Sequence, residues 1–348
     1  MDAILNEPLN SATAWKAEDL YRDKSWLYPL NDEQRDEIKQ ALATAKAKGC
    51  SVETVRPENF PLPGLVPTLN EMADRLDNDT GFLVLRGVPL DDLSLGEIEL
   101  LYAGLTSHLG TLINQDTKGT LIDHVADRGA DYSDISVRGY TTNAHLTPHC
   151  DSGDLVVLLC VRPAKSGGIN NISSAMSIYN VIREDHPEYL EPLYRGFHYN
   201  IRGNGPIGPY LDITRHRVPV YSYYKGKLSC RYNQKAIKTA EELEGVEPLT
   251  DLEKRAIDCV AELAMRDDLR FDVMLERGDI AFLNNHIVLH NRSNFIDFEK
   301  PEHKRLLLRQ WLNLYQAREL TDEFADHYNT GPRMGPDVHG GEVGGRIR

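Results

Sequence analysis

Cysteine is scarce in this chain of 348 residues, and the five present, Cys50, Cys150, Cys160, Cys230 and Cys259, are odd in number and far apart, with no C-x-x-C pair. That pattern excludes a disulfide framework and a thiolate zinc site as organising features, and it predicts a reducing, cytoplasmic setting. Long apolar runs are missing too. No stretch approaches the ~18 residues that a membrane-spanning helix needs. The start, MDAILNEPLN, has no basic region, apolar run or small-residue cleavage site, so neither a signal peptide nor a membrane partner is expected. Basic residues are in deficit, 39 Lys and Arg against 53 Asp and Glu, for a net charge of −14. A chain so balanced has no general attraction to phosphate backbones, which excludes nucleic acid as the expected partner. Hydrophobic residues make up 41% of the chain, enough to bury a sizeable core.

Helix-start signals recur along the chain. Thr68-Leu-Asn-Glu71, Ser94-Leu-Gly-Glu97 and Thr250-Asp-Leu-Glu253 each fit a capping box ahead of apolar residues at helical spacing. A further helix is predicted from about Asn31 to Lys48, stopped by Gly49. Strand-like runs lie between the helices, at Gly81–Gly87, Leu155–Val161, Phe271–Leu275, Ile280–Leu283 and Lys304–Leu312. Glu276-Arg-Gly-Asp279 reads as a hairpin turn between two of them. These signals predict a mainly β core with surrounding helices, in a single domain over 1–330. Residues around 190–265 form a middle insertion. The last eighteen residues, 331–348, hold six glycines and two prolines and read as a tail or strap.

Two local contexts carry metal chemistry. In Asn143-Ala-His-Leu-Thr-Pro-His-Cys-Asp151, His149 and Asp151 are two apart, so on an extended segment their side chains share a face. In Gly278-Asp279-Ile-Ala-Phe-Leu-Asn-Asn-His-Ile-Val-Leu-His290, His286 and His290 are four apart. The zincin glutamate beside the first histidine is missing and the run reads as strand, so one of the two is expected as a ligand. Two histidines and one carboxylate form the facial triad of non-heme iron(II) oxygenases, which leaves open positions for a co-substrate and dioxygen.

Fifteen residues past His290 comes Arg305-Leu-Leu-Leu-Arg309. Arginines at i and i+4 share a strand face, and a guanidinium among apolar neighbours is costly unless it meets an anion. The ordered set resembles the iron(II)/2-oxoglutarate-dependent oxygenases of the taurine dioxygenase type, which include clavaminate-synthase-like enzymes. The matching pieces are Gly81–Gly87, His149-Cys-Asp151, Gly167-Gly168, Gly278-Asp279 with the distal His290, and Arg305–Arg309, over roughly residues 65–315.

The resemblance implies a double-stranded β-helix, or jelly roll. It implies His149, Asp151 and His290 as ligands of Fe(2+), and Arg305 as partner of the far carboxylate of 2-oxoglutarate. Arg309 would assist Arg305 or meet an anionic group of the substrate. The family often has Thr or Ser after the paired glycines. Here Asn170 stands in that region, so Asn170, or Ser173, is expected to make the second 2-oxoglutarate contact. The presence of Asp151 disfavours halogenation, which needs a small residue there. The implied reaction is hydroxylation of an unactivated C–H bond, with release of succinate and carbon dioxide; desaturation or ring closure at the same iron are alternatives. A non-catalytic metal- or ligand-binding jelly roll would show a broken triad or a lost arginine, and neither is seen. Asn143 and His145 are expected to line the pocket of a small, amino-acid-like carboxylate. Tyr199, Tyr210, Tyr221, Tyr223 and Tyr224 fall in a segment read as a lid.

Overall fold

The computed structural model describes residues 4–130 and 139–339. The strands are β1 (Leu27–Pro29), β2 (Phe82–Arg86), β3 (Gly110–Ile113), β4 (Asp123–Val125), β5 (Leu155–Arg162), β6 (Ser166–Gly167) and β7 (Asn170–Ser174). They continue as β8 (Tyr221–Tyr224), β9 (Lys227–Cys230), β10 (Arg270–Val273), β11 (Ile280–Asn284), β12 (Val288–Arg292), β13 (Phe295–Ile296) and β14 (Leu306–Leu314). The larger sheet runs β1-β2-β11-β5-β14-β3, with β4 also paired to β14. A smaller sheet runs β10-β7-β12.

Position in the sheet explains the composition of each strand. β5 lies between β11 and β14, and seven of the nine residues of β14 from Leu306 to Leu312 are buried without a break. Strands covered on both faces read as continuous apolar runs instead of alternating ones. An aromatic group joins the sheets: the ring centroid of Phe82 in β2 lies 6.0 Å from that of Phe271 in β10, and Trp26 is 5.6 Å from Phe82. One apolar core runs through the described residues from Trp15 to Tyr328.

The helices lie early and in the middle, as the start signals predict. α1 (Ala17–Arg22) is followed by α2 (Asp32–Ala47), whose Asn31 accepts from Gln34 N–H, with Gly49 at φ +67° just past its end. α4 (Leu95–Thr106) has the capping box of Ser94 and Glu97. α3 (Val66–Asn78) departs from expectation: it begins before Thr68, so that residue sits inside the helix. Pro67 occupies the first turn, where its missing N–H costs nothing, and this moves the start upstream. Then come α5 (Ala175–Asp185), α6 (Leu190–Arg195), α7 (Gln234–Ala240), α8 (Asp251–Ala264) and α9 (Asp322–Ala325). The box of Thr250 and Glu253 caps α8. No described helix is long and apolar enough to cross a membrane.

The predicted hairpin at Glu276–Asp279 is not one. β10 belongs to the smaller sheet and β11 to the larger, so the turn carries the chain from one sheet to the other. Asp279 is fully buried and pairs with Arg86 through two bonds, Nε to Oδ1 at 2.9 Å and Nη2 to Oδ2 at 2.7 Å. Gly278 has φ +84°, and a Cβ there would sit 2.6 Å from the Val88 carbonyl oxygen. Two apolar runs around a tight turn look alike in sequence whether they pair with each other or part.

The described part of the glycine-rich C-terminal segment, residues 331–339, is hydrogen-bonded to the loops beside it. Asn313 and Asn114 donate to the carbonyls of Arg333 and Pro336 at 2.7 and 2.5 Å. Asp337 N–H donates to Asn204 O at 2.8 Å, and His339 N–H to Thr117 O at 3.0 Å. Residues 340–348 of the predicted tail lie outside the described ones.

Candidate metal centre and co-substrate pocket

His149 and His290 pair across an antiparallel bridge, His149 N–H to His290 O at 3.0 Å and His290 N–H to His149 O at 2.9 Å. Directly opposed residues on such a pair present their side chains together, and the two rings stand 4.5 Å apart between centroids. His149 Nδ1 lies 2.8 Å from the Thr147 carbonyl oxygen. A carbonyl can only accept, so Nδ1 carries the proton and Nε2 keeps its lone pair for a metal. Burial, then the neighbouring His149, push the His290 pKa down to about 3, so this imidazole is neutral at physiological pH. Its Nδ1 is buried without a hydrogen-bond partner among the described residues.

Asp151 follows two residues later on the same extended segment. Its Oδ2 is 3.9 Å from His290 Nε2 and 3.4 Å from Arg309 Nη1. Burial alone would raise its pKa, but Arg309 and the two imidazoles hold it at about 2. One ligand atom from each of His149, Asp151 and His290 fits within a 4.8 Å span. Two imidazole nitrogens and one carboxylate oxygen suit a ferrous ion with open positions. His286 is elsewhere: its Nε2 is 3.0 Å from Asp154 Oδ1, and burial lowers its pKa to about 4.

The three residues open onto a cavity lined by Arg305, just before β14, and by Leu307, Arg309 and Trp311 of β14. The i, i+2 spacing places all four on one face, despite a register shift between Leu306 and Leu307. Arg305 is 4% exposed, and among the described residues its Nη1 has no hydrogen-bond partner and no carboxylate forms an ion pair with it. Its guanidinium lies over the Phe295 ring, 5.0 Å from the centroid. Gly168, at φ +73°, leaves room beside it, since a Cβ there would be 3.3 Å from Arg305 Nε. A buried cation without an anion at one wall of a cavity fits a ligand carboxylate. Arg309 is differently engaged. Its Nε donates to Gln115 Oε1 at 2.8 Å, and its Nη2 lies 3.7 Å from Asp123 Oδ2.

Asn170 lines the cavity, with its Nδ2 3.5 Å from Val273 O. Ser173 does not reach it, because its hydroxyl donates to Ala264 O at 2.6 Å. Asn143 and His145 are exposed and are not among the cavity residues. Of the five tyrosines in the segment read as a lid, two are core residues. Tyr199 and Tyr221 are fully buried and donate to the carbonyls of Arg231 and Ala175 at 2.9 and 3.1 Å. The polar wall is instead made by Asn200, Arg202 and Asn204, with Asn233 and Lys235 nearby. His327 and Tyr328 complete it from the C-terminal region. No motif marks these residues in sequence, although Asn233 bridges His149 directly.

The sequence model of the family described as "Taurine catabolism dioxygenase TauD, TfdA family" matches residues 45–311. FR-33289 synthase of Streptomyces rubellomurinus is 29% identical over 330 residues, covering 94% of this chain and 96% of that protein. Among solved structures, asparagine oxygenase in complex with Fe(II), 2S,3S-3-hydroxyasparagine and succinate superposes with a TM-score of 0.65 at 18% identity, over 83% of this chain and 93% of that one. The non-heme iron oxygenase OrfP, in complex with Fe, succinate and (3S)-hydroxy-L-Arg, gives 0.61 at 17%, over 82% and 94%. OrfP is also solved with Fe and alpha-ketoglutaric acid.

Proposed function

The chain belongs to the TauD/TfdA family of dioxygenases, and from that premise we propose that it hydroxylates an unactivated C–H bond of a small, amino-acid-like carboxylate. It is a non-heme dioxygenase that uses Fe(2+) and 2-oxoglutarate. In this reading His149, Asp151 and His290 hold the iron, and Arg305 binds the far carboxylate of 2-oxoglutarate. The two sheets, β2-β11-β5-β14 and β10-β7-β12, are read as the double-stranded β-helix of the family. Iron and 2-oxoglutarate supply the oxidation, with release of succinate and carbon dioxide.

The protein's own residues bind and orient. Thr147 O sets the His149 tautomer, and burial keeps His290 neutral. The Arg305 guanidinium carries the reading: it sits in the cavity shared with the triad, with no ion-pair partner among the described residues, and so matches a dicarboxylate anchored at one end by the metal. Asn170 is the second co-substrate contact in this reading, through its amide. The polar wall of Asn200, Asn204 and Asn233 supports a polar substrate. Both oxygenases compared above are complexed with hydroxylated amino acids, which supports the amino-acid-like class.

The test is succinate release with Fe(II), ascorbate, 2-oxoglutarate and a panel of amino acids and organic acids. Substrate-dependent succinate is expected from that panel, and His149→Ala and Asp151→Ala are expected to abolish it. Turnover confined to another chemical class would sink the substrate reading. Full activity in either variant would refute the ligand assignment.

A further inference from the structure

Gln115 belongs to no motif, yet it is completely buried behind the metal centre. It follows β3 on a loop closed by its own N–H, which donates to Thr120 O at 2.9 Å. Its side chain grips Arg309 from two sides. Oε1 accepts from Arg309 Nε at 2.8 Å, and Nε2 donates to the Arg309 carbonyl at 2.8 Å. Nε2 also donates to Leu121 O at 3.0 Å. An amide so engaged cannot flip or rotate without losing several buried bonds, each loss leaving a polar atom unsatisfied.

The guanidinium is thereby fixed in direction. Its Nη1 faces Asp151 Oδ2 at 3.4 Å and its Nη2 faces Asp123 Oδ2 at 3.7 Å. Arg309 thus serves a carboxylate of the triad. We infer that Gln115 is a positioning residue of the metal centre: it locks Arg309 so that the guanidinium holds the Asp151 carboxylate, through Oδ2, in place beside His290. The inference rests on Asp151 as an iron ligand. The loop that carries Gln115 is itself held by the C-terminal strap, through Asn114 to Pro336 and His339 to Thr117.

The test uses the full-length protein stripped of metal, with Co(II) as probe, reading its dissociation constant and visible absorption spectrum without turnover. Gln115→Met removes the whole grip. Loss of an outer partner typically weakens metal binding roughly 10–100-fold, and that range, with a changed spectrum, is expected. Gln115→Glu keeps an acceptor for Arg309 Nε and is expected to recover most of the affinity. Gln310→Met is the control. Gln310 is equally buried, one residue along β14, and bonded to Thr106 at 2.8 Å instead, so Co(II) binding should stay as in the wild type.

Arg309→Lys keeps the charge and loses the nitrogen that Gln115 holds. It is expected to weaken Co(II) binding about as much as Gln115→Met, and the double variant no further, since the two act through one contact. Wild-type affinity and spectrum in Gln115→Met, additive losses in the double variant, or an equal loss in Gln310→Met overturns the inference. If Gln115→Met does not fold, Arg309→Lys with wild-type Co(II) binding overturns it. Asp151→Ala separates the two levels: unchanged Co(II) binding there removes the ligand assignment itself, whereas its loss beside an intact Gln115→Met removes only the role of Gln115.

Discussion

Replacing Arg305 by methionine should make the ligand-free protein more stable and nearly unable to bind 2-oxoglutarate. Burial pulls the guanidinium pKa from 12.5 to about 10, with Cys160 and Asp297 compensating only in part. At about 1.4 kcal/mol per pKa unit, that shift is a penalty on the order of 3 kcal/mol for keeping the charge in the folded protein. The folded value lies below the unfolded one, so the penalty is fully present below pH 10 and fades as pH rises towards 12.5. Methionine removes it, at the loss of the cation–π contact with Phe295, worth about 0.5–2 kcal/mol. A net gain of about 1–2 kcal/mol at pH 7 is expected from urea denaturation of the metal-free, co-substrate-free protein. The cost falls on binding. Truncating one partner of a buried charge pair typically costs about 2–5 kcal/mol, or roughly 30- to 5,000-fold in dissociation constant. Calorimetric titration of 2-oxoglutarate into the Ni(II)-loaded protein measures this. An Arg305→Met protein that is less stable than the wild type and binds 2-oxoglutarate equally well would refute the assignment, because the arginine would then be a structural cation.

Other consequences follow from single contacts. Arg86→Met leaves fully buried Asp279 without its bidentate partner. This should cost about 3 kcal/mol in urea denaturation, the lower end for a broken buried pair because Arg86 is partly exposed; a loss below 1 kcal/mol would show that the inter-sheet turn holds without the pair. Deleting residues 331–348 removes the carbonyl of Pro336 from Asn114 and the N–H of Asp337 from Asn204. Hydrogen exchange should then rise in both the 114–120 and 200–205 loops, and unchanged protection in both would contradict the bracing role. All five cysteines are free, four of them buried, so dithiothreitol should leave Tm unchanged. A drop would reveal a disulfide that the fold does not contain.

How much of this was legible in sequence depends on which physical signal each residue leaves. Helix caps act locally, so Asn31, Ser94 and Thr250 announced their helices, and Pro67 displaced the start of α3 through an equally local effect. Strand existence was legible from apolar runs, but pairing was not: nothing local distinguishes a turn that makes a hairpin from one that changes sheet, as at Glu276–Asp279. At the site, spacing put only His149 and Asp151 on a shared face; His290 in place of His286, and Arg305, were legible through the order of motifs that resembles the family. The cavity walls left no such trace. Asn143 and His145 are close to the triad in the chain yet exposed, whereas Asn233 lies more than eighty residues away and bridges His149.

Arg309 shows the sharper limit. Its place on β14 four residues after Arg305 was readable, and both line the same cavity. What distinguishes them is what lies behind each. Arg305 is backed by the Phe295 ring and the glycine at 168, which offer no anion, so its charge is directed at the cavity. Arg309 is backed by Gln115 and Asp123, which come from the loop after β3 and from β4 and turn it onto Asp151. Two arginines four residues apart, one just before β14 and one within it, thus carry different loads, one awaiting a ligand carboxylate and one holding a carboxylate of the protein. The sequence distance of nearly two hundred residues between Gln115 and Arg309 is why only the folded chain separates them.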